Sequence, residues 1–270
     1  MASPRFYACA YLLLLAASTA VAAPPSPSVF LEDLTSPELA ARIRAGSTTV
    51  LIPIGGTEQN GPHMALGKHN VRVRALAEKI ARALGNAVVA PVIAYVPEGS
   101  VNPPTGHMRY PGTITVPADA YRQVLASAAQ SMKLAGFRDI VFLGDSGDYQ
   151  KDNNAVALML DREWQATPVR AHAIEQYYRA ATVEFSDALK RQGFSAAEIG
   201  PHAGVADTSL MLAVDPALVH MDRATPSPGQ TTLPGVTGDP RRASAALGNA
   251  AIDNIVDKTV AAIRAATSNR

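Results

Sequence analysis

Short apolar runs that alternate with stretches of helical spacing limit what this chain can fold into more than any other feature of it. Thr48 to Ile54 is β-branched and apolar and stops at Gly55-Gly56, which reads as a buried strand. Ala87 to Val96, Asp139 to Leu143 and Val169 to Ile174 read the same way. Helical patterns lie before and between them, at Leu34 to Ala45, Val71 to Leu84, Asp119 to Ala135 and Ala155 to Trp164. In the second, Ala75, Leu76, Ile80 and Leu84 share a face, and Gly85-Asn86 closes it. Strands apolar on both faces need cover on both sides. The expectation is an α/β fold of three layers, a mostly parallel sheet with helices on both faces. Its ligand crevice should lie where the carboxyl ends of the strands give way to loops.

The first residues follow another pattern. Arg5, the apolar run Ala8 to Ala17 and the small residues Ala20-Val21-Ala22 form an export signal over residues 1–22. That run falls short of the roughly 20 residues a bilayer span needs, and no later segment reaches it, so no stable membrane span is expected. The breaker-rich Pro24-Pro25-Ser26-Pro27 makes residues 23–33 a linker, and 34–270 the α/β domain. The mature chain is expected in the periplasm or outside the cell. The only cysteine, Cys9, lies in the signal. Disulfides, thiol nucleophiles and cysteine metal ligands are thereby excluded from the mature chain. Basic and acidic residues balance at 24 and 23, with no Lys/Arg run. The expected partner is a small-molecule substrate and not a nucleic acid.

Four polar stretches could carry chemistry. Gly55 to Asn70 brings Glu58, Asn60, His63 and His69 into a turn-rich stretch directly after a strand. One carboxylate and two imidazoles are what a divalent transition metal with an open position needs. Gly106 to Thr113 carries His107 in a Gly/Pro loop, and Gly144 to Asp148 carries Asp145, Ser146 and Asp148 after a strand. His202 to Ser209 precedes an apolar run. There Asp207 or Thr208 could cap a helix, while His202 is freer to act as a base or ligand. His172 and His220 are set aside as structural or solvated. Gly144-Asp145-Ser146-Gly147-Asp148 is not a Gly-x-Ser-x-Gly elbow, so a serine hydrolase using Ser146 is a minor alternative.

Together, in order and spacing, these stretches resemble the creatininase family of metal-dependent amidohydrolases. The family's Gly-x-x-Glu-x-His-Gly-x-His-Leu-Pro-x-x-x-Asp aligns with Gly55 to His69. Its His-x-x-Phe-Pro-Gly-Thr aligns with His107 to Thr113, and its Asn-Gly-His-Gly-Gly-Asn with Gly144 to Tyr149. Its His-Ala-Gly-x-x-Glu-Thr-Ser aligns with His202 to Ser209, and a late Gly-Asp-Pro with Gly238-Asp239-Pro240. The resemblance implies hydrolysis of a small non-peptide or cyclic amide with two divalent metals, and a multi-subunit assembly.

Several positions depart from that pattern. Glu58 keeps the first ligand, but Asn60 stands where a His ligand belongs, His69 where the metal-bridging Asp belongs, and Ser146 where another His belongs. Asp148 stands in for a Glu found in some branches. An imidazole lone pair binds one metal where a carboxylate can bridge two. The expectation is therefore a reorganised site of one or two ions (zinc, manganese or iron) held by Glu58, His69 and Asp145 or Asp148. His202 and Glu58 would be catalytic, with Asn60, His63, His107, Ser146 and Asp207 around the substrate. The alternative is a metal-free pseudoenzyme or small-molecule-binding protein on the same fold.

Overall fold

The computed structural model describes residues 28–268, so the expected export signal lies outside the described residues. Four parallel strands, β1 (Thr49–Ile54), β2 (Ala87–Val89), β3 (Asp139–Gly144) and β4 (Arg170–Ala173), form one sheet in the order β2-β1-β3-β4. Alternating side chains send the two faces of each strand into separate cores. Leu51, Val89, Val141 and Leu143 pack into one, Val50, Ile52, Val88, Ile140 and Phe142 into the other. The three-layer α/β expectation holds.

Helix α1 (Ser36–Arg44) starts on a capping box in which the Glu38 carboxylate accepts from the Thr35 N–H at 2.7 Å. Helices α3 (Ala118–Ala135) and α4 (Gln150–Glu163) cover one face through Tyr121, Leu125, Val156 and Leu160. The other face is covered by α2 (Lys68–Leu84), the run α5 (Glu175–Arg179), a π-helical turn and α6 (Phe185–Arg191), and α8 (Val205–Val214). A short α7 (Ala196–Ile199) precedes α8, and the 24-residue α9 (Ala245–Ser268) packs on α8 and α2. No described helix is long and apolar enough to cross a membrane.

Two expectations are corrected here. The strand expected over 87–96 is regular only to Val89, because Pro91 has no N–H to give the ladder. Pairing resumes as a single bridge between Ile93 and Ile54. Residues 28–33 are not free linker either. Val29 and Phe30 are buried, and Val89 N–H donates to Val29 O at 2.8 Å, so the domain begins ahead of Leu34.

The strand order places β1 and β3 side by side, with their following helices, α2 and α4, on opposite faces. Loops that part in this way leave a crevice at the carboxyl ends of the two strands. Tyr149 pins it. Its hydroxyl accepts from the N–H groups of Asp145 and Ser146 at 3.1 and 2.9 Å and donates to Gly55 O at 2.5 Å, tying the end of β3 to the end of β1.

Candidate active site

The crevice is a cavity of about 530 Å³, and Glu58, Lys68, His107, Ser146, Asp148 and His202 are among its walls. Its floor is set by where α2 begins. The helix starts at Lys68, three residues ahead of the sequence reading, so Lys68, His69 and Arg72 precede Val73, Leu76 and Ile80 on one buried face. Three cationic side chains at a helix N-terminus oppose the helix dipole and lose their hydration, so they need partners. They have them in a closed ring.

Lys68 Nζ lies 3.3 Å from Glu58 Oε1 and 3.0 Å from Asp207 Oδ2. Arg72 reaches Asp207 Oδ1 and Asp145 Oδ2, each at 2.8 Å. His69 closes the circuit, with Nδ1 2.6 Å from Asp145 Oδ2 and Nε2 2.8 Å from Glu58 Oε1. Each carboxylate therefore meets two cations, and each cation two carboxylates. Both nitrogens of His69 face carboxylate oxygens, the geometry in which an imidazolium donates twice, and Arg72 Nη2 lies 3.2 Å from Nδ1. Burial and Lys68 push its pKa down, but the two carboxylates outweigh them and hold it above the usual histidine value. Burial alone would raise Glu58 and Asp207. Lys68 with His69, and Lys68 with Arg72, instead hold these carboxyls well below the usual range. Tyr177 adds a hydroxyl donor to Asp145 Oδ1 at 2.6 Å, and Asp207 also accepts from Ala203 N–H at 2.9 Å ahead of α8.

The ring changes the expected ligand set. His69 has no free nitrogen, and Asp145 is occupied by His69, Arg72 and Tyr177. Asp148 lines the cavity from an exposed position. Ligand atoms converge elsewhere: those of Glu58, His107 and His202 all lie within 4.8 Å of one another. His202 Nε2 donates to Gln59 O at 2.9 Å, which leaves Nδ1 with its lone pair, 3.7 Å from Glu58 Oε1. Burial and Lys68 depress His202 to about 4, so it is neutral near pH 7. The Gln59 amide is oriented by Gly61 N–H at 3.0 Å and Gly235 O at 2.9 Å, and its nitrogen donates to His107 Nδ1 at 2.9 Å. With Nδ1 accepting, the ring hydrogen of His107 sits on Nε2, facing Glu58 Oε2 at 3.2 Å. That hydrogen is what an ion at this place would replace.

Two residues expected around the substrate support the loop instead. Asn60 is fully buried and its amide donates to Glu58 O and Ala65 O, at 2.9 and 3.0 Å. His63, also fully buried, pairs with Thr208 Oγ1 at 3.0 Å. Ser146 does line the cavity, but among the described residues no hydrogen bond joins its hydroxyl to a histidine. A serine hydrolase would need that bond.

Lys68, Arg72, Gln59 and Tyr177 were not legible as site residues, and neither was Glu98. Only 1% exposed, Glu98 sits in a notch left by Gly56, where a Cβ would come within 2.6 Å of its Oε1. Neither Glu98 oxygen finds a donor, and the Glu58 carboxylate is within hydrogen-bonding reach. Burial, then the charge of Glu58, lift Glu98 to about 9, so it is a neutral acid near pH 7 that can donate to Glu58.

Comparison with known proteins gives the family. Residues 32–263 match the family described as Creatininase, creatinine amidohydrolase. The chain belongs to the creatininase family. It is 27% identical over 218 residues to a creatinine amidohydrolase of Pseudomonas putida, covering 77% of this chain and 80% of that protein. It is also 27% identical over 245 residues to a mycofactocin precursor peptide peptidase of Mycobacterium tuberculosis, covering 82% and 86%. A solved creatininase variant described as of the Zn-Zn type superposes with a TM-score of 0.71 at 26% identity, covering 90% of this chain and all of that one. The creatininase fold is therefore shared throughout, and these relatives are hydrolases.

Proposed function

We propose that this chain hydrolyses a C–N bond of a small non-peptide or cyclic amide, with a single divalent ion held by Glu58, His107 and His202. The observation that carries the reading is the convergence of those three ligand atoms, one of them the unprotonated Nδ1 of His202, on the cavity. The donor set of one carboxylate and two imidazoles, with no thiol, suits zinc, manganese or iron. When bound, such an ion would supply Lewis-acid polarisation at the scissile carbonyl.

The protein's own groups account for the rest. Two N–H bonds of the Lys68 ammonium go to Glu58 and Asp207, which leaves a third for the carbonyl oxygen. Asp148 lines the cavity from an exposed position, so it can accept a proton from attacking water and pass it to the leaving nitrogen as the C–N bond breaks. Glu58 stays ionised throughout.

The test is hydrolysis of creatinine and a panel of small lactams and amides, followed by release of ammonia or amine. Activity should vanish on dialysis against a chelator and return with zinc, manganese or iron. Activity indifferent to chelation, or none with any of the three ions, would sink the proposal and leave the metal-free binding protein as the better account.

We further propose export, on the pattern of Arg5, the Leu-rich run and Ala20-Val21-Ala22. Expressed in a bacterial host, the chain should be recovered outside the cytoplasm with Ala23 or a close neighbour at its N-terminus. An uncleaved cytoplasmic chain by N-terminal sequencing contradicts this.

A further inference from the structure

The alternating ring pairs acidic and basic side chains in equal number. Glu58, Asp207 and Asp145 supply three negative charges, Lys68, Arg72 and His69 three positive ones, and every link is 3.3 Å or shorter. All three cations come from one turn and a half of α2, and all are 5% exposed or less. Such a cluster cannot be a solvated surface network. It is a charge-paired unit built into the floor of the cavity. In a creatininase described as of the Zn-Zn type, metal ions carry positive charge in the corresponding fold.

We infer that in this chain the side chains of Lys68 and His69 take the place of a divalent ion, meeting the carboxylates of Glu58, Asp207 and Asp145 from the protein itself. The carboxylates that could have bound a second ion are instead consumed by the ring. A second ion inserted there would lie within a few ångströms of two fixed cations, and would have to displace them before finding a ligand. Lys68 keeps one function that such an ion would have had, because it still presents a hydrogen-bond donor to the cavity. The inference holds whether the Glu58, His107 and His202 set binds one ion or none, so it stands apart from the proposed hydrolytic function.

The experiment is elemental analysis of the purified chain after saturation with Zn²⁺ or Mn²⁺ and removal of free ion. One equivalent or none is the expected result, and two equivalents overturn the inference. An empty parent would refute the single-ion reading above while leaving this one standing. The second arm restores a carboxylate and removes the competing ammonium, in Lys68→Met/His69→Asp. This variant should bind one ion more than the parent, and its melting temperature should fall in EDTA and recover with Mn²⁺. An unchanged ion count in the folded variant overturns the inference. If the double variant does not fold even with Mn²⁺, His69→Asp alone is measured by the same criterion.

Discussion

Arg72→Met should destabilise the fold by about 3–5 kcal/mol, the usual cost of removing one partner from a buried ion pair. The methionine fills much of the space of the arginine stem, so the effect is electrostatic and not a cavity. Asp145 would lose the guanidinium contacts from Nε at 3.1 and 2.9 Å, and Asp207 the one from Nη1 at 2.8 Å. Each keeps one other cation, His69 or Lys68, and the remaining ring is one positive charge short. Arg82→Met on the same helix is the control. Arg82 pairs with Glu78 at 2.8 Å on the surface, where such a pair contributes about 0–1 kcal/mol. Urea denaturation of both variants near pH 7 decides the matter. A loss for Arg72→Met no larger than for Arg82→Met would mean that the ring contributes nothing beyond an ordinary surface pair.

A second large effect is expected in how stability responds to pH, and Glu98 governs it. Its folded value of about 9 lies above the ordinary 4.5 of a glutamate, so the folded chain holds a proton that the unfolded chain releases. A raised value gives stability that is complete below the unfolded pKa and is lost as pH rises towards the folded one. Between those limits the loss is at most about 1.4 kcal/mol per pH unit. Glu98→Gln keeps the shape and removes the titration. Relative to the parent, the variant should therefore gain stability steadily from pH 5 to pH 8. His63 and His202, both depressed to about 4, act in the other sense. The unfolded chain takes up their protons between 4 and 6.5, so they cost stability on acidification. They do so equally in parent and variant and cancel from the difference. Denaturant midpoints for both proteins at several pH values measure it, and a difference that does not change with pH would mean that Glu98 is ionised in the fold.

Strand and helix periods made the three-layer sheet legible because each strand is apolar on both faces. Boundaries were less so. Read from Val71, the helix α2 begins with its apolar stripe. Begun at Lys68, it shows Lys68, His69 and Arg72 in phase with Val73, Leu76 and Ile80. Charged residues on a buried face are the signal that was available, but exposed charges at a helix start look the same in sequence. Helix α9 offered little contrast, since alanine occupies both its buried and its exposed positions. Glu58, His107, His202 and Asp207, singled out by motif order, line one cavity. That order could not show that His69 would spend both nitrogens on carboxylates, because that depends on Asp145 arriving from β3, 76 residues away. Glu98 lay in a Pro/Gly loop with nothing in its neighbours to mark it. Its burial follows from the notch at Gly56, which only the folded backbone reveals.

The single-ion site is the central claim, and the metal content of ligand variants tests it most directly. The parent, His107→Ala, His202→Ala and His172→Ala would be purified without chelator or affinity-tag metal, saturated with Zn²⁺ and analysed for bound ion. His172 pairs with Asp139 at 3.0 Å at the far end of the sheet and serves as the control. The account predicts about one equivalent in the parent and in His172→Ala, and weakening or loss of the ion in both other variants, since each removes one of three protein ligands. An ion bound as tightly in His107→Ala and His202→Ala as in the parent would contradict it.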